Sequence, residues 1–133
     1  ARDAMPEGGD LTISCVPCHK LLAPVALREK YPEVPFVRLS VVDQGTGIEE
    51  DILPHIFEPF FTTKDQGQGT GLGLAVVHGI VSQLKGGIEV SSIPGEGTRF
   101  DVYLPLIQAE DDSDAAPEQA LSVARITKGA ELR

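Results

Sequence analysis

The stretch DQGTGI, Asp43 to Ile48, sets an acid and two glycines directly after the apolar run FVRLSVV. A carboxylate in a turn at the mouth of a core accepts a hydrogen bond from an N–H donor, and the exocyclic amino group of a purine is such a donor. Gly45 and Gly47 would let the backbone pass against the flat face of a base. Taken alone, the same residues also describe a surface turn in which Asp43 caps the segment that follows. A second stretch, GQGTGLG from Gly67 to Gly73, has glycine at every other position and runs straight into an apolar segment. Such a loop lets the backbone approach an anion, with free N–H groups and a helix dipole aimed at it. The spacing is not G-x-G-x-x-G and no GK[ST] follows, so a phosphate cradle and a plain flexible loop both stand as readings.

The elements that must position these residues follow from periodicity. Leu11–Cys15 and Phe36–Asp43 are rich in β-branched residues and predict strands, with VPCHKLLAPVALREKYPEVP between them as a long proline-broken connection. Ile48 to Thr70 begins with a short helical turn, where its acids suit the positive helix end, and passes into the Gly/Gln-rich loop. The segment GLGLAVVHGIVSQLKGG predicts the clearest helix. Leu72, Ala75, Val76, Gly79, Ile80, Gln83 and Leu84 make one stripe expected to pack on a sheet, and Gly86 and Gly87 supply the stop. Then GIEVSSI and TRFDVYLPL flank PGEG as an antiparallel hairpin, with Ile88, Val90, Phe100, Val102 and Leu104 alternating at period two. Together these predict an α+β fold: a two-layer α/β sandwich with a mixed, mostly antiparallel sheet and helices on one face.

One such domain over residues 1–107 suits a chain of 133 residues. From Gln108 the sequence turns acidic and Ala/Pro-rich, predicting a linker or tail over 108–133 with a short helix near ALSVARI. Twenty acidic against eleven basic residues give a net charge of −9, which repels nucleic-acid phosphate and excludes DNA and RNA as expected partners. No apolar run approaches the roughly 18–20 residues that span a bilayer, and the first residues lack signal-peptide order. Two cysteines are too few for a disulfide scaffold, so a cytoplasmic location is expected.

Three phrases in order, DQGTGIEEDILPHIFEPFFTTK, GTGLGLAVVHGIVSQLKGGIEVSS and GEGTRFDVYLP, closely resemble the catalytic ATP-binding domain of bacterial sensor histidine kinases. This is the GHKL ATPase superfamily, with its Bergerat fold, and the phrase FEPFFTTK points to the kinase branch. The resemblance covers about Ala1 to Leu106. It implies that Asp43 binds the adenine amino group and that Thr98 supports it, usually through water. Gly45, Gly47 and Ile48 would line the base pocket. Phe57, Phe60 and Phe61 match the aromatic box that anchors a mobile ATP lid, although core packing is the plainer reading for Phe57 and Phe60. Lys64 would reach the phosphates, and Gly69, Thr70, Gly71, Leu72 and Gly73 match the second glycine box. ATP with Mg²⁺ is the implied cofactor.

ARDAMPEGG resembles the end of the family's asparagine box, whose Mg²⁺-binding asparagine would stand immediately before Ala1. The chain is therefore expected to be an incomplete piece of a larger kinase, holding no metal ligand and no catalytic residue of its own. A hard cation on the phosphates neutralises developing charge, so its loss should weaken binding and disable transfer. The resemblance further implies phosphoryl transfer to a histidine on a separate dimerisation domain, a homodimeric and in some cases membrane-anchored parent, and a response regulator as phosphorelay partner. TKGAELR resembles the stretch that often precedes a receiver domain in hybrid kinases. A nucleotide-sensing or interaction module without transfer activity is the alternative for this piece.

Three histidines remain. His55 and His78 are expected to be surface or packing residues. His19 in HKLLAPV echoes an acceptor motif, but Lys20 stands where that motif has an acid. Cys15, Cys18 and His19 also fit the C-x-x-C-H pattern of covalent haem or half a zinc site. Haem attachment needs an exported chain and no second Cys/His pair completes a zinc site, so a strand-end pair is the preferred reading.

Overall fold

The computed structural model describes residues 1–19, 22–106 and 123–126. Strands β1 (Leu11–Cys18), β2 (Phe36–Asp43), β3 (Gly87–Ile93), β4 (Gly97–Pro105) and β5 (Val123–Ile126) form one sheet in the order β3-β4-β2-β1-β5. Every pairing is antiparallel. Two helices accompany it, α1 (Val25–Lys30) and α2 (Gly73–Gln83). The α+β class, the strand β2 and the hairpin β3–β4 agree with the sequence. Among the described residues no helix is long and apolar enough to cross a membrane.

Directly opposed residues of an antiparallel pair share a face, so the register sorts the side chains. One face carries Ile13, Leu39, Val41, Val90, Phe100 and Val102, all half-buried. Phe57 stacks edge-on against Phe100 and at a tilt against His78 of α2, which places α2 over this face. The other face carries Cys18, Phe36 and Tyr103, which with Ala23 and Leu27 make the fully buried cluster. Leu27 belongs to α1, so this short helix closes the end of the face opposite α2. Beside that cluster the same face turns polar. Ser40, only 2% exposed, donates to Asp101, which also takes the Arg99 guanidinium at 2.7 Å.

Six expectations need correction. Among the described residues the sheet is antiparallel throughout rather than mixed. The helices do not share one face, because Leu27 of α1 packs with Phe36 and Tyr103 on the side opposite α2. β1 runs to Cys18 rather than Cys15, because Val16, Pro17 and Cys18 continue the pairing onto Arg38, Val37 and Phe36. Among the described residues β5 pairs with Leu11 to Ser14, so no described strand ladders on the outer edge at Pro17. The connection after it contains α1, capped by Pro24, which six residues are too few to announce by periodicity. The helix predicted over 71–87 forms as α2, but its expected stripe does not face the sheet: Val76, Ile80 and Leu84 are each more than half exposed. Val81 is the buried residue of the helix, Leu74 and, from the expected stripe, Ala75 are half-buried, and His78 is exposed though tilted against Phe57. Within the tail, the helix expected near ALSVARI is replaced at Val123–Ile126 by β5, paired to β1. The acidic stretch 108–122 and the segment TKGAELR lie outside the described residues.

Candidate functional site

The row that ends the sheet brings the first group together. Leu11, Asp43, Thr98 and Ser92 stand directly opposite one another across β1, β2, β4 and β3. Asp43 and Thr98 are both buried. Asp43 Oδ1 accepts the Gly45 N–H at 2.9 Å and the Thr98 N–H at 3.3 Å, so one carboxylate oxygen shapes its own turn. Among the described residues Oδ2 takes no hydrogen bond, which leaves it to accept from a ligand.

The turn itself is held by two other segments. Thr46 N–H donates to Ala4 O at 2.9 Å, and Gly95 N–H in the β3–β4 turn donates to Thr46 O at 2.7 Å. Gly47 has a φ of +73°, and a Cβ there would stand 2.3 Å from the Ile93 carbonyl oxygen. Only glycine admits both the left-handed backbone and that approach. Ile48 N–H donates to Ser92 Oγ at 2.8 Å. The predicted residues Asp43, Gly45, Gly47, Ile48 and Thr98 are thus one constellation.

The second group surrounds a cavity of about 380 Å³ lined by Ile56, Phe61, Thr62, Lys64, Gly69, Thr70, Gly71, Gly73 and Leu74. Five sequence-predicted positions and the aromatic Phe61 meet there. Leu72 does not line it, but sits one residue before α2, its N–H on Thr70 Oγ1 at 3.3 Å. The first N–H groups of α2 have no acceptor within the helix and give this end a positive character. Lys64 adds a formal charge, and its ammonium pairs with Asp3, whose carboxyl the lysine's hydrogen bond and charge hold below the usual range. Neutral amides, a helix N-terminus and a lysine around one cavity suit a polyanion such as a nucleotide's phosphates.

Phe60 corrects the core-packing reading: it is 74% exposed with a φ of +67°, its N–H donating to Gly71 O at 2.8 Å. Phe57 conforms to it, through Phe100 and His78. His55 is paired with Glu58 at 2.9 Å and tilted against Phe61. Cys15 and Cys18, three residues apart on one strand, point to opposite faces, Cys15 exposed and Cys18 buried. That geometry forbids a shared metal or haem while β1 is intact. Among the described residues no group of three or more His, Cys, Asp or Glu side chains could hold a metal ion.

Sequence reasoning missed Ser92, Thr62, Ile56 and Leu74. Ser92 had a signal: Ile88 and Val90 set a period-two apolar face, and Ser92 is the polar residue where that face calls for a third apolar one.

Residues 1–108 match the family described as histidine kinase-, DNA gyrase B- and HSP90-like ATPase. The sensor kinase CckA of Brucella abortus (strain 2308) is 47% identical over 123 residues, 90% of this chain and 13% of the relative. The sensor histidine kinase ZraS of Escherichia coli O157:H7 is 56% identical over 70 residues, 53% of this chain and 15% of the relative. Full-length ShkA, solved in complex with AMPPNP, superposes with a TM-score of 0.50 at 36% identity, over 57% of this chain and 16% of that one. The chain thus spans about one seventh of the length of these relatives.

Proposed function

The chain belongs to the histidine kinase-, DNA gyrase B- and HSP90-like ATPase family, as an ATP-binding catalytic domain of the sensor histidine kinase type, and from this premise we propose that it positions ATP for phosphoryl transfer to a histidine on another domain of a two-component sensor kinase. In this reading Asp43 Oδ2 accepts from the adenine amino group, with Thr98 beside it and Gly45, Gly47 and Ile48 forming the wall against the base. Phe61, Lys64, Gly69, Thr70, Gly71 and Gly73 surround the phosphates, and Leu72 fixes the turn that opens α2. The observation that carries the proposal is the buried Asp43 carboxylate, one oxygen anchored on backbone and the other left for a donor.

Transfer would then rest on positioning and electrostatics, which is where phosphoryl-transfer catalysis resides. Lys64 exchanges Asp3 for the phosphates, and the segment bearing it closes over the nucleotide and excludes water. Mg²⁺ accompanies ATP in this proposal. Among the described residues no carboxylate or histidine cluster could hold it. The acceptor histidine on a dimerisation domain, a homodimeric parent and a receiver or response regulator complete the proposed relay, with this domain on the cytoplasmic side. His55 and His78 are not proposed as acceptors, because each is engaged with an aromatic ring.

Calorimetric titration of ADP and GDP into the chain, with and without Mg²⁺, tests the proposal. Saturable ADP binding with GDP excluded is the expected result. Failure of ADP to bind under both conditions would reduce the family relationship to one of fold.

A further inference from the structure

Ser92 lies outside both groups predicted from sequence, yet its hydroxyl makes three contacts at hydrogen-bonding distance. Ile48 N lies 2.8 Å away, Gly97 O 2.9 Å and Thr98 Oγ1 2.8 Å. Two of these partners have fixed roles. A backbone N–H only donates, so Ser92 Oγ accepts from Ile48; a carbonyl only accepts, so the single Ser92 proton goes to Gly97 O. The third contact is then satisfied only if Thr98 donates to Ser92. The opposite assignment would set the Gly97 carbonyl against an oxygen lone pair at 2.9 Å with no proton between them.

We infer that Ser92 is a positioning residue that fixes the Thr98 hydroxyl as a hydrogen-bond acceptor, so that the row Ser92–Thr98–Asp43 selects a base bearing an exocyclic amine over one bearing a keto oxygen. The proton of Thr98 is spent on Ser92, and only lone pairs are left to face a ligand or a bridging water. Asp43 is an acceptor as a carboxylate, and its Oδ1 already takes two backbone N–H groups. The end of the sheet therefore presents acceptors alone. A keto oxygen placed there meets lone pairs and leaves the site's polar groups unpaired, which is the kind of mismatch that discriminates strongly. Ser92 also holds the Ile48 amide at the end of the glycine turn, so polarity and position are set by one side chain.

The inference rests on the reading of Asp43 as a base-binding residue, and the test separates the two. ADP and IDP share sugar and phosphates and differ at the amine. Their affinities for the full chain, for Ser92→Ala and for Ser92→Thr are measured by calorimetry, with Asp43→Asn alongside. The wild-type chain is expected to prefer ADP. Ser92→Ala frees the Thr98 hydroxyl to donate and should narrow that preference by about five- to tenfold, the worth of one net hydrogen bond. Ser92→Thr keeps the hydroxyl and should restore it. A merely structural role for Ser92 would weaken both nucleotides alike, so an unchanged ADP-to-IDP ratio in Ser92→Ala overturns the inference. If Asp43→Asn abolishes the preference while Ser92→Ala leaves it intact, only the role of Ser92 falls. If Asp43→Asn leaves it intact too, or the wild type has none, the base-site reading falls with it. Should Ser92→Ala fail to fold, Ser92→Cys, with a weaker acceptor, is expected to narrow the ratio partially, and an unchanged ratio there is equally decisive against it.

Discussion

Gly97 is pressed onto the backbone of Asp43: a Cβ at Gly97 would stand 2.0 Å from the Asp43 carbonyl oxygen, and its φ is +129°. The start of β4 therefore fixes the end of β2, where the candidate base-binding carboxylate sits. Gly97→Ala must both strain the backbone and push Asp43 away, and is expected to cost on the order of 2–4 kcal/mol of stability. Gly95, two residues earlier in the same turn, has a φ of +81° but open space where its Cβ would be. Gly95→Ala should cost only the left-handed backbone penalty, about 1–2 kcal/mol. Urea unfolding of both variants checks this; equal midpoints would show that the approach to Asp43 relaxes freely.

What could be read from sequence was what local pattern decides. β2 was legible because Phe36–Asp43 is rich in β-branched residues, and the β3–β4 hairpin because Ile88 and Val90, then Phe100, Val102 and Leu104 alternate around a Pro/Gly turn. The extent of α2 was legible, but its inward arc was not. GLAVVHGIV is apolar around most of its circumference, so periodicity selects the greasiest arc, whereas the partner decides the real one: Val81 is buried, Leu74 and Ala75 half-buried, and Phe57 fills the space between Phe100 and the helix, touching the exposed His78. Asp43 and the glycines were identified from residue types alone. Ser92 was not, because its importance lies in three partners 5 to 44 residues away.

Asp43→Asn offers a clean test of the carboxylate. Asparagine keeps a carbonyl oxygen for the Gly45 and Thr98 amides, so the turn should persist, while an NH₂ group replaces the oxygen assigned to the ligand. The expected result is a loss of about 1.5–3 kcal/mol in ADP binding with a melting temperature close to wild type. Unchanged ADP affinity would remove Asp43 from the base site.

The two thiols should behave as strangers. Cys15 is exposed, whereas Cys18 is 6% exposed, and burial pushes its thiol above the ordinary range. Since the thiolate is the reactive form, a disulfide reagent should titrate one thiol in the native chain and the second only after denaturation. Added Zn²⁺ should leave the melting temperature unmoved, because a ligand bound to the native state alone would raise it. Simultaneous reaction of both thiols, or a Zn²⁺-dependent rise, would mean that β1 opens at Cys15 to Cys18.

Asp101 predicts how the sheet responds to acid. Burial alone would raise its carboxyl, but hydrogen bonds from Arg99 and Ser40 and the charges of Arg99 and Arg38 outweigh it and hold the group below its ordinary value of 3.8. A carboxyl depressed in the folded state contributes stability that is fully present above the unfolded-state value and lost as pH falls through the folded one. The contribution should therefore be intact at pH 5 to 7 and fade below about pH 4. Asp101→Asn keeps an acceptor for Ser40 but loses the charge that faces Arg99 and Arg38, at an expected cost of about 1–3 kcal/mol near neutrality. Because asparagine does not titrate, the variant and wild type should converge as pH drops from 4 to 2. Chemical unfolding at pH 7, 4 and 3 reads this directly; a stability gap that stays constant across the series would show that the Asp101 charge contributes nothing and that the side chain matters only for its shape.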